Sequence, residues 1–297
     1  MSFVSRYLEP ALVERLNHLQ LSARRIVEGA TTGLHKSPFK GASIEFRQHR
    51  FYVPGDELRR LDWRVLGRTD RPYIKEYDEE TNLRGMLMLD CSGSMAYGGQ
   101  PKFDYAAKLV ASLAYLMLAN TEHVGLAIFS DQLHRWIPPR SGTGQLSQIV
   151  DALEHVTPRG QTQPARSMHQ AADRLGRRSL VILVSDFFAP VSQIGEGLAH
   201  FGHDRHELIA LRVLDRDEIE FPFKTWTRLR GMEGEKPRLC EPAIMRKLYL
   251  DNFRRHSQEL EERCRALKAE FALFMTDRPL LESTTRFLQR RWVMSAI

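Results

Sequence analysis

The bulk properties of the 297-residue chain exclude several classes of protein. Hydrophobic residues make up 42% and charged residues 27% of the sequence, which is an ordinary globular composition and excludes extensive disorder. The formal net charge of +6 suits acidic partners, although charge alone says nothing about activity. Three widely spaced cysteines, Cys91, Cys240 and Cys264, give neither a disulfide framework nor a paired-cysteine metal site, and they favour a reducing compartment.

No segment of the sequence has the length and apolar character of a membrane-spanning helix. The longest uncharged apolar run, residues 109–119, is about half as long as such a helix requires. The N-terminal residues carry Glu9, Glu14 and Arg15 at helical spacing and contain no apolar signal core. We therefore expect a cytoplasmic protein without a membrane span.

The N-terminal part of the chain predicts a helix followed by two strands. Residues 10–30 have one apolar side at helical spacing, and Pro10 suits the first turn of a helix. Strand-like stretches follow at residues 44–51 and 73–77, separated by turn signals. We interpret residues 1–80 as an N-terminal extension to the domain that follows.

From residue 83 onward, short apolar strands alternate with amphipathic helices. Such alternation predicts a doubly wound, Rossmann-like α/β domain over residues 81–297, with a mostly parallel sheet and helices on both faces. The predicted strands are residues 83–89, 124–129, 133–137, 180–184, 208–213 and 271–275; the predicted helices are residues 101–119, 145–156, 165–175, 191–201, 243–270 and 280–291; and residues 219–229 and 237–242 suggest a small hairpin.

Two aspartates stand at the ends of predicted parallel strands, where α/β sheets bind ligands. Asp90 and Asp186 each follow an apolar run, and Asp90 opens an Asp-x-Ser-x-Ser turn with Ser92 and Ser94. Thr162 adds a hydroxyl from a loop before a predicted helix. Two carboxylates and three hydroxyls form an all-oxygen ligand set that suits Mg²⁺, or Mn²⁺ or Ca²⁺, and that suits zinc poorly. The alternative is that both aspartates only cap the helices that follow them.

The same five residues resemble, in order and position, the metal-ion-dependent adhesion site of von Willebrand A domains. The resemblance implies that Ser92, Ser94 and Thr162 coordinate the metal. It implies that Asp90 and Asp186 bind the metal directly or through water, and that a carboxylate from a partner often completes the coordination sphere. It therefore implies a von Willebrand A-type fold and a protein-binding function.

The segment ahead of the predicted sheet carries a second resemblance. Residues 45–47, 50–56, 59–63 and 68–69 are similar to the signature of a bacterial family, domain of unknown function 58, although Gly55-Asp56-Glu57 stands where the family has Gly-Asp-Asp. Members of that family commonly accompany MoxR-type AAA+ ATPases, and many carry membrane helices. The resemblance therefore implies an adaptor or co-chaperone that acts with such an ATPase and its client.

The charged residues of this signature leave two interpretations open. Arginine–carboxylate pairs would form a structural network that ties the segment to the sheet domain. Alternatively, arginines and a tryptophan are typical anchors of a partner-docking face. The candidate docking residues are Arg50, Asp56, Arg59, Asp62 and Trp63.

Two other classes of function are less well supported by the sequence. A hydrolase that used Asp90 and Ser92 would need a nearby base, and Asp-Cys-Ser-Gly-Ser is not the Gly-x-Ser-x-Gly elbow of hydrolases. Nucleic-acid binding would rely on arginine pairs that are scattered along the chain. No phosphate-binding P-loop sequence is present. We therefore predict a non-enzymatic, metal-dependent protein-binding module that binds no nucleic acid.

Overall fold

The computed structural model divides the chain into two compact units. Gly33–Leu83 forms the smaller unit, and Met1–Thr32 together with Arg84–Ile297 forms the larger one. The structure describes residues 6–8, 10–16, 44–53, 61–79, 84–176, 178–229, 231–232 and 238–295.

Residues 10–16 are helical (α1) and belong to the larger unit. Tyr7, Leu8 and Leu16 are buried, and the hydroxyl of Tyr7 donates a hydrogen bond to the carboxylate of Asp104 at 3.1 Å. Tyr7, Leu8 and Leu16 are therefore part of the core of the larger unit. The division into an extension of residues 1–80 and a domain of residues 81–297 stays a prediction.

The smaller unit contains the two predicted strands, β1 (Ile44–Phe51) and β2 (Tyr73–Glu79), which pair in antiparallel orientation. Helix α2 (Trp63–Thr69), which lies between them, is absent from the sequence prediction. The carboxylate of Asp62 caps α2 by accepting hydrogen bonds from two backbone N–H groups of its first turn, at 3.0 and 3.2 Å. Such a cap satisfies N–H groups that a helix leaves without partners, and it stabilises even a short helix.

The larger unit is built on a six-stranded, mostly parallel sheet, as the alternation of strands and helices predicts. The strands of this unit are β3 (Arg84–Asp90), β4 (His123–Phe129), β5 (Leu133–Arg140), β6 (Leu180–Ser185), β7 (Glu207–Leu214), β8 (Thr227–Leu229), β9 (Arg238–Cys240) and β10 (Glu270–Met275). The sheet has the order β10-β7-β6-β3-β4-β5, and every neighbouring pair is parallel except β4–β5. Strands β3 and β6 are buried along almost their whole length, as expected for parallel strands covered on both faces.

Helices cover both faces of the sheet, which confirms the predicted doubly wound α/β class. They are α3 (Lys102–Ala119), α4 (Thr143–Glu154), α5 (Pro164–Ala172), α6 (Val191–His203), α7 (Arg216–Glu220), α8 (Pro242–Ala266) and α9 (Leu280–Ser295). One face packs Met88 and Leu183 of the sheet against α5, α6 and α8. Leu87 and Leu89 alternate to the other face, where α3 contacts β3 and β4. None of the helices in the described part of the chain is both long and apolar enough to span a membrane.

The region after β7 differs in part from the prediction. The predicted strand over residues 219–229 is wrong at its start, because α7 ends at Glu220. Asp215 and Glu218 form a reciprocal capping box that starts this helix, and this is a helix-start signal that the apolar pattern does not include. The hairpin is confirmed in a shorter form, in which β8 pairs with β9 in antiparallel orientation.

Candidate metal centre

The ends of β3 and β6 meet where the strand order of the sheet reverses direction. Strand β4, the next along the chain, lies on one side of β3, whereas β6 and β7 lie on the other side. Such a reversal opens a crevice at the carboxyl ends of the two strands, where α/β proteins bind ligands. Asp90 is the last residue of β3, and Asp186 directly follows β6. The structure therefore brings both predicted carboxylates to this crevice.

The carboxylate of Asp90 is fully buried and is held by hydrogen bonds. Its Oδ1 accepts from the backbone N–H of Ser92 at 2.8 Å, and its Oδ2 accepts from the hydroxyl of Ser185 at 2.6 Å. Burial, followed by the negative charge of Asp186, raises the pKa of Asp90 to about 7, although the hydrogen bonds lower it. Ionisation of Asp90 is therefore costly in the apo protein, and a cation bound beside it would offset that cost.

The hydroxyls of Ser92 and Ser94 converge next to Asp90. Their Oγ atoms are 3.1 Å apart, and a short 3₁₀ helix, Gly93–Ala96, makes the turn that brings them together. Two neighbouring ligand oxygens of an octahedral Mg²⁺ ion, each about 2.1 Å from the metal, lie about 3 Å apart. The observed separation therefore fits two adjacent corners of such an octahedron.

The loop that carries Thr162 is bonded to the Asp90 turn. The backbone N–H of Arg159 donates to the carbonyl of Cys91 at 2.8 Å, and the N–H of Gly93 donates to the carbonyl of Gly160 at 2.9 Å. Gly160 has a φ of 83°, a left-handed conformation that glycine adopts without a steric cost. Thr162 lies two residues beyond this contact and is half-buried. The third predicted hydroxyl therefore belongs to a loop that is fixed to the turn carrying the two serines.

Asp186 has a different environment, because a buried lysine compensates its charge. Its Oδ2 accepts a hydrogen bond from Nζ of Lys102 at 2.6 Å, and both side chains are almost completely buried. Its Oδ1 accepts from the backbone N–H of Phe188 at 3.2 Å. The guanidinium of Arg212 donates to the main-chain carbonyl of Asp186 at 2.8 Å. Hydrogen bonds from Lys102, Phe188 and Arg212 therefore fix the position of Asp186.

Lys102 is the residue of this site that the sequence reasoning missed. Its Nζ also donates to Glu218 of α7 at 2.6 Å, so that one ammonium group joins α3, α7 and the end of β6. Burial alone would lower the pKa of Lys102, but the charges of Asp186 and Glu218 raise it above its usual value. A signal was available in the sequence. Lys102 is the first residue of α3, where the helix dipole disfavours a cation, and a lysine in that position calls for a specific anionic partner.

The donor groups at the crevice fit a hard divalent cation. Asp90, Asp186 and Glu218 carry three negative charges when ionised, against two positive charges on Lys102 and Arg212, so a net negative charge is left. Within the described ranges, no three or more His, Cys, Asp or Glu side chains are grouped so as to hold a metal ion. A cation here would therefore depend on hydroxyl and water oxygens as well as on carboxylates. Mg²⁺ accepts such a set, because it retains several water ligands in proteins.

The predicted docking residues are described only in part. Asp62 caps α2 through its carboxylate, and Trp63 has 64% of its surface exposed. Arg50 lies on β1, and its side chain is outside the described part of the structure; Asp56 and Arg59 lie outside the described residues altogether. Their role in docking stays a prediction.

A known family matches residues of both units. Residues 48–259 match the profile described as "Protein of unknown function DUF58". The chain belongs to this family. The matched part of this DUF58 chain includes Asp90, Lys102 and Asp186, so the whole candidate centre lies inside the family region.

The relatives and structural neighbours below are similar to this DUF58 chain over about 70% or more of its length. The uncharacterized protein Rv1480 of Mycobacterium tuberculosis is 26% identical over 95% of this chain and 90% of its own length. The crystal structure of the conserved hypothetical protein BatB from Bacteroides thetaiotaomicron has a TM-score of 0.46 and 14% identity, covering 70% of this chain and 98% of BatB. The SpRpn10 VWA domain has a TM-score of 0.39 and 11% identity, covering 69% of this chain and 93% of that domain.

Proposed function

We propose that this chain is a non-enzymatic protein-binding module that holds Mg²⁺ at Asp90, Ser92, Ser94, Thr162 and Asp186. The proposal rests on one observation. Where the strand order of the sheet reverses direction, two buried carboxylates lie at the same crevice as two hydroxyl groups, and the oxygens of these hydroxyl groups are 3.1 Å apart. The five side chains leave at least one of six octahedral positions to water or to a ligand. In the proposed function, a carboxylate of a partner protein takes that position, as the resemblance to von Willebrand A domains implies.

The surroundings of the serines support binding rather than catalysis. The hydroxyls of Ser92 and Ser94 are hydrogen-bonded to each other. In the part of the chain that the structure describes, no histidine ring is hydrogen-bonded to either serine, so a nucleophile paired with a base is not seen there. Cys91 is buried, and burial, together with the charge of Asp90, raises its pKa to about 12. Its thiol is therefore protonated at neutral pH and is a poor nucleophile.

The identity of the partner follows from family resemblance alone. We propose a MoxR-type AAA+ ATPase, for which this chain would act as adaptor or co-chaperone toward a client protein. We place this activity in the cytoplasm, since the free cysteines Cys91 and Cys264 are both buried thiols that suit a reducing compartment. Nucleic-acid binding receives less support. In the pair Arg290-Arg291, Arg291 is paired with Glu207 and Glu270 and is not free to bind phosphate.

Calorimetric titration of the purified full chain with Mg²⁺ and Mn²⁺ tests the metal site. We expect one site in the wild type and at least about tenfold weaker binding in Asp90→Asn, because a charged ligand becomes a neutral one. Asp251→Asn, which removes an exposed carboxylate on α8, is the matched control and should bind like the wild type. Wild-type affinity in Asp90→Asn would refute the site.

A binding experiment tests the partner separately. We expect a purified MoxR-type ATPase from the same organism to be retained by immobilised wild-type chain in Mg²⁺, and to be lost with EDTA or with Asp90→Asn. Retention that is independent of Mg²⁺ would refute the metal-dependent mechanism. No retention, together with normal metal binding, would refute this partner and leave the metal site intact.

A further inference from the structure

A cavity of about 720 Å³ lies beside the candidate metal centre. Its wall includes Arg135 on β5, the end of α4 near Asp151 and His155, Arg159 in the following loop, and Cys91 in the metal turn. A volume of this size is typical of ligand sites and exceeds what one small ion fills. The cavity therefore has room for a segment of several atoms, such as one or two side chains of a peptide.

The cavity carries an excess of positive charge. Arg135 and Arg159 are both exposed, and among the described residues neither guanidinium has a carboxylate partner. The lining also includes the carboxylate of Asp151, which lies 3.5 Å from the ring of His155, and His134, which lies 3.4 Å from Asp131; either histidine carries a charge only when it is protonated. Two guanidinium groups are thus left to bind an anion, and their planar donor geometry suits a carboxylate.

Backbone bonds connect the cavity directly to the metal turn. Cys91, which lines the cavity, follows Asp90 in sequence, and its carbonyl accepts from the backbone N–H of Arg159 at 2.8 Å. The cavity therefore adjoins the turn that carries the proposed metal ligands. A single carboxylate cannot bind both the metal and the two arginines, so simultaneous binding needs a segment with at least two acidic groups.

Addition of a strand to the sheet is a poor alternative for a partner at this edge. Strand β5 is the edge strand here, but it contains Pro138 and Pro139, which have no N–H to donate to an added strand. A partner at this edge is more readily held by its side chains than by its backbone.

We propose that this cavity is a second recognition site, in which Arg135 and Arg159 bind a carboxylate side chain of an acidic peptide segment while a neighbouring carboxylate of the same segment binds the metal. The inference rests on the proposed function, and it adds the chemistry of the partner: a protein segment with closely spaced Asp or Glu residues. The arginine site itself needs no metal, so the two can be tested apart.

Calorimetry with a capped hexaglutamate peptide at low ionic strength tests the arginine site. We expect Arg135→Gln combined with Arg159→Gln to weaken binding by about tenfold or more, since charge-assisted hydrogen bonds are lost. The loss should be present both in Mg²⁺ and in EDTA. The matched control is Arg254→Gln with Arg265→Gln, which removes two exposed arginines from α8 and should change affinity by no more than about twofold at this salt.

Separate outcomes distinguish the cavity from the metal centre. If Mg²⁺ does not change the wild-type affinity but the cavity substitutions weaken it, the metal-dependent function fails and the arginine site is supported. If the cavity variant loses no more affinity than the control variant, the arginine site is refuted even where Mg²⁺ strengthens binding. Binding of inorganic phosphate that depends on the two arginines, without binding of the peptide, would also overturn the proposal, because it would identify a phosphate site.

Discussion

Asp90 and Asp186 occupy equivalent places at the ends of neighbouring strands but have opposite electrostatic surroundings. Within the described part of the chain, the hydrogen bonds that Asp90 accepts come from neutral donors, the N–H of Ser92 and the hydroxyl of Ser185. Asp186 accepts from the ammonium group of Lys102. The charge of one buried carboxylate is therefore compensated inside the fold, and the charge of the other is not.

This difference assigns unequal roles to the two carboxylates. A cation bound at the crevice would gain more from Asp90, because Lys102 already shares the charge of Asp186. Asp186 is better suited to orient water around a cation than to supply most of the attraction. We therefore expect changes near Asp186 to act mainly on folding, and changes near Asp90 to act mainly on metal binding.

Lys102→Met tests whether Lys102 compensates the charge of Asp186, and it has the largest expected effect on the free energy of unfolding. Methionine keeps much of the side-chain volume, but it leaves the buried carboxylate of Asp186 and the partly buried carboxylate of Glu218 without their cation. Removing one member of a buried ion pair costs about 3–5 kcal/mol, and we expect the free energy of unfolding at neutral pH to fall by about that amount. Urea denaturation followed by circular dichroism measures this loss.

Lys247→Met on the exposed side of α8 is the matched control for Lys102→Met. It should change the free energy of unfolding by no more than about 0.5 kcal/mol, as exposed substitutions usually do. Mg²⁺ should restore part of the stability that Lys102→Met loses, because a cation at the crevice again compensates the carboxylates. Equal stability of the two variants would show that Lys102 does not carry the compensating charge.

The pH dependence of stability tests whether the charge of Asp90 is uncompensated in the folded chain. The pKa of Asp90 is raised from 3.8 to about 7 in the folded chain, so between these values the folded state binds more protons than the unfolded state. The stability of the apo protein must then fall as pH rises. At about 1.4 kcal/mol per pKa unit, the contribution of Asp90 falls by roughly 2–3 kcal/mol from about pH 5 to about pH 7.

Comparison with Asp90→Asn isolates this contribution, since the variant cannot ionise at that position. Denaturation at several pH values should give a steeper decline in the wild type than in the variant. Burial also raises the pKa of Glu122 to about 7, but Glu122 is present in both proteins and cancels in the difference. Saturating Mg²⁺ should flatten the wild-type decline. Identical pH profiles for apo wild type and variant would contradict an uncompensated Asp90.

The sequence predicts both carboxylates at the strand ends, but it does not predict the lysine that compensates the charge of Asp186. Asp90 and Asp186 were found because each directly follows an apolar run, and the serines because they lie within one turn of Asp90. Both are local signals. The ion pairs of Lys102 join residues that are 84 and 116 positions apart in the chain. No periodicity connects such residues, and their meeting depends on how helices pack above the sheet.

The same distinction explains which elements of the fold were predicted. Long apolar strands and amphipathic helices were located within a few residues, because burial on one or both faces dictates their pattern. The short helices α2 and α7 were missed, since each depends on a capping aspartate, Asp62 or Asp215, rather than on an apolar face. The grouping of Tyr7 and Leu8 with the sheet domain depends on tertiary contacts that the sequence pattern does not contain.

Gly93→Ala tests how tightly the Asp90 turn is enclosed. A Cβ at Gly93 would overlap the carbonyl oxygen of Met232 and would lie 3.2 Å from the carbonyl oxygen of Gly160. Overpacking of this kind costs about 1–3 kcal/mol, and we expect a loss within this range because the overlapping atoms belong to the backbone of Met232 and not to a flexible side chain. Gly99→Ala, with no atom within 4 Å of the added Cβ, is the control for urea denaturation. A variant as stable as this control would mean that residues 231–232 move away from the turn without cost.

Ser94→Ala has the smallest expected effect on folding and most directly tests the octahedral fit of the serines. Ser94 is half-buried and its hydroxyl bonds to Ser92, so the stability of the apo protein should change by no more than about 0.5 kcal/mol. Mg²⁺ at about one hundred times its Kd stabilises a folded protein by about 2.7 kcal/mol, and tenfold weaker binding halves that gain. We therefore expect Mg²⁺ to stabilise Ser94→Ala about half as much as the wild type, while Ser141→Ala, at an exposed serine, keeps the full gain. If Mg²⁺ stabilises Ser94→Ala as much as the wild type, the Ser94 hydroxyl is not a metal ligand. The metal would then be bound by Asp90 and Ser92, and the 3.1 Å separation of the two serine hydroxyls would not mark two adjacent positions of an octahedron.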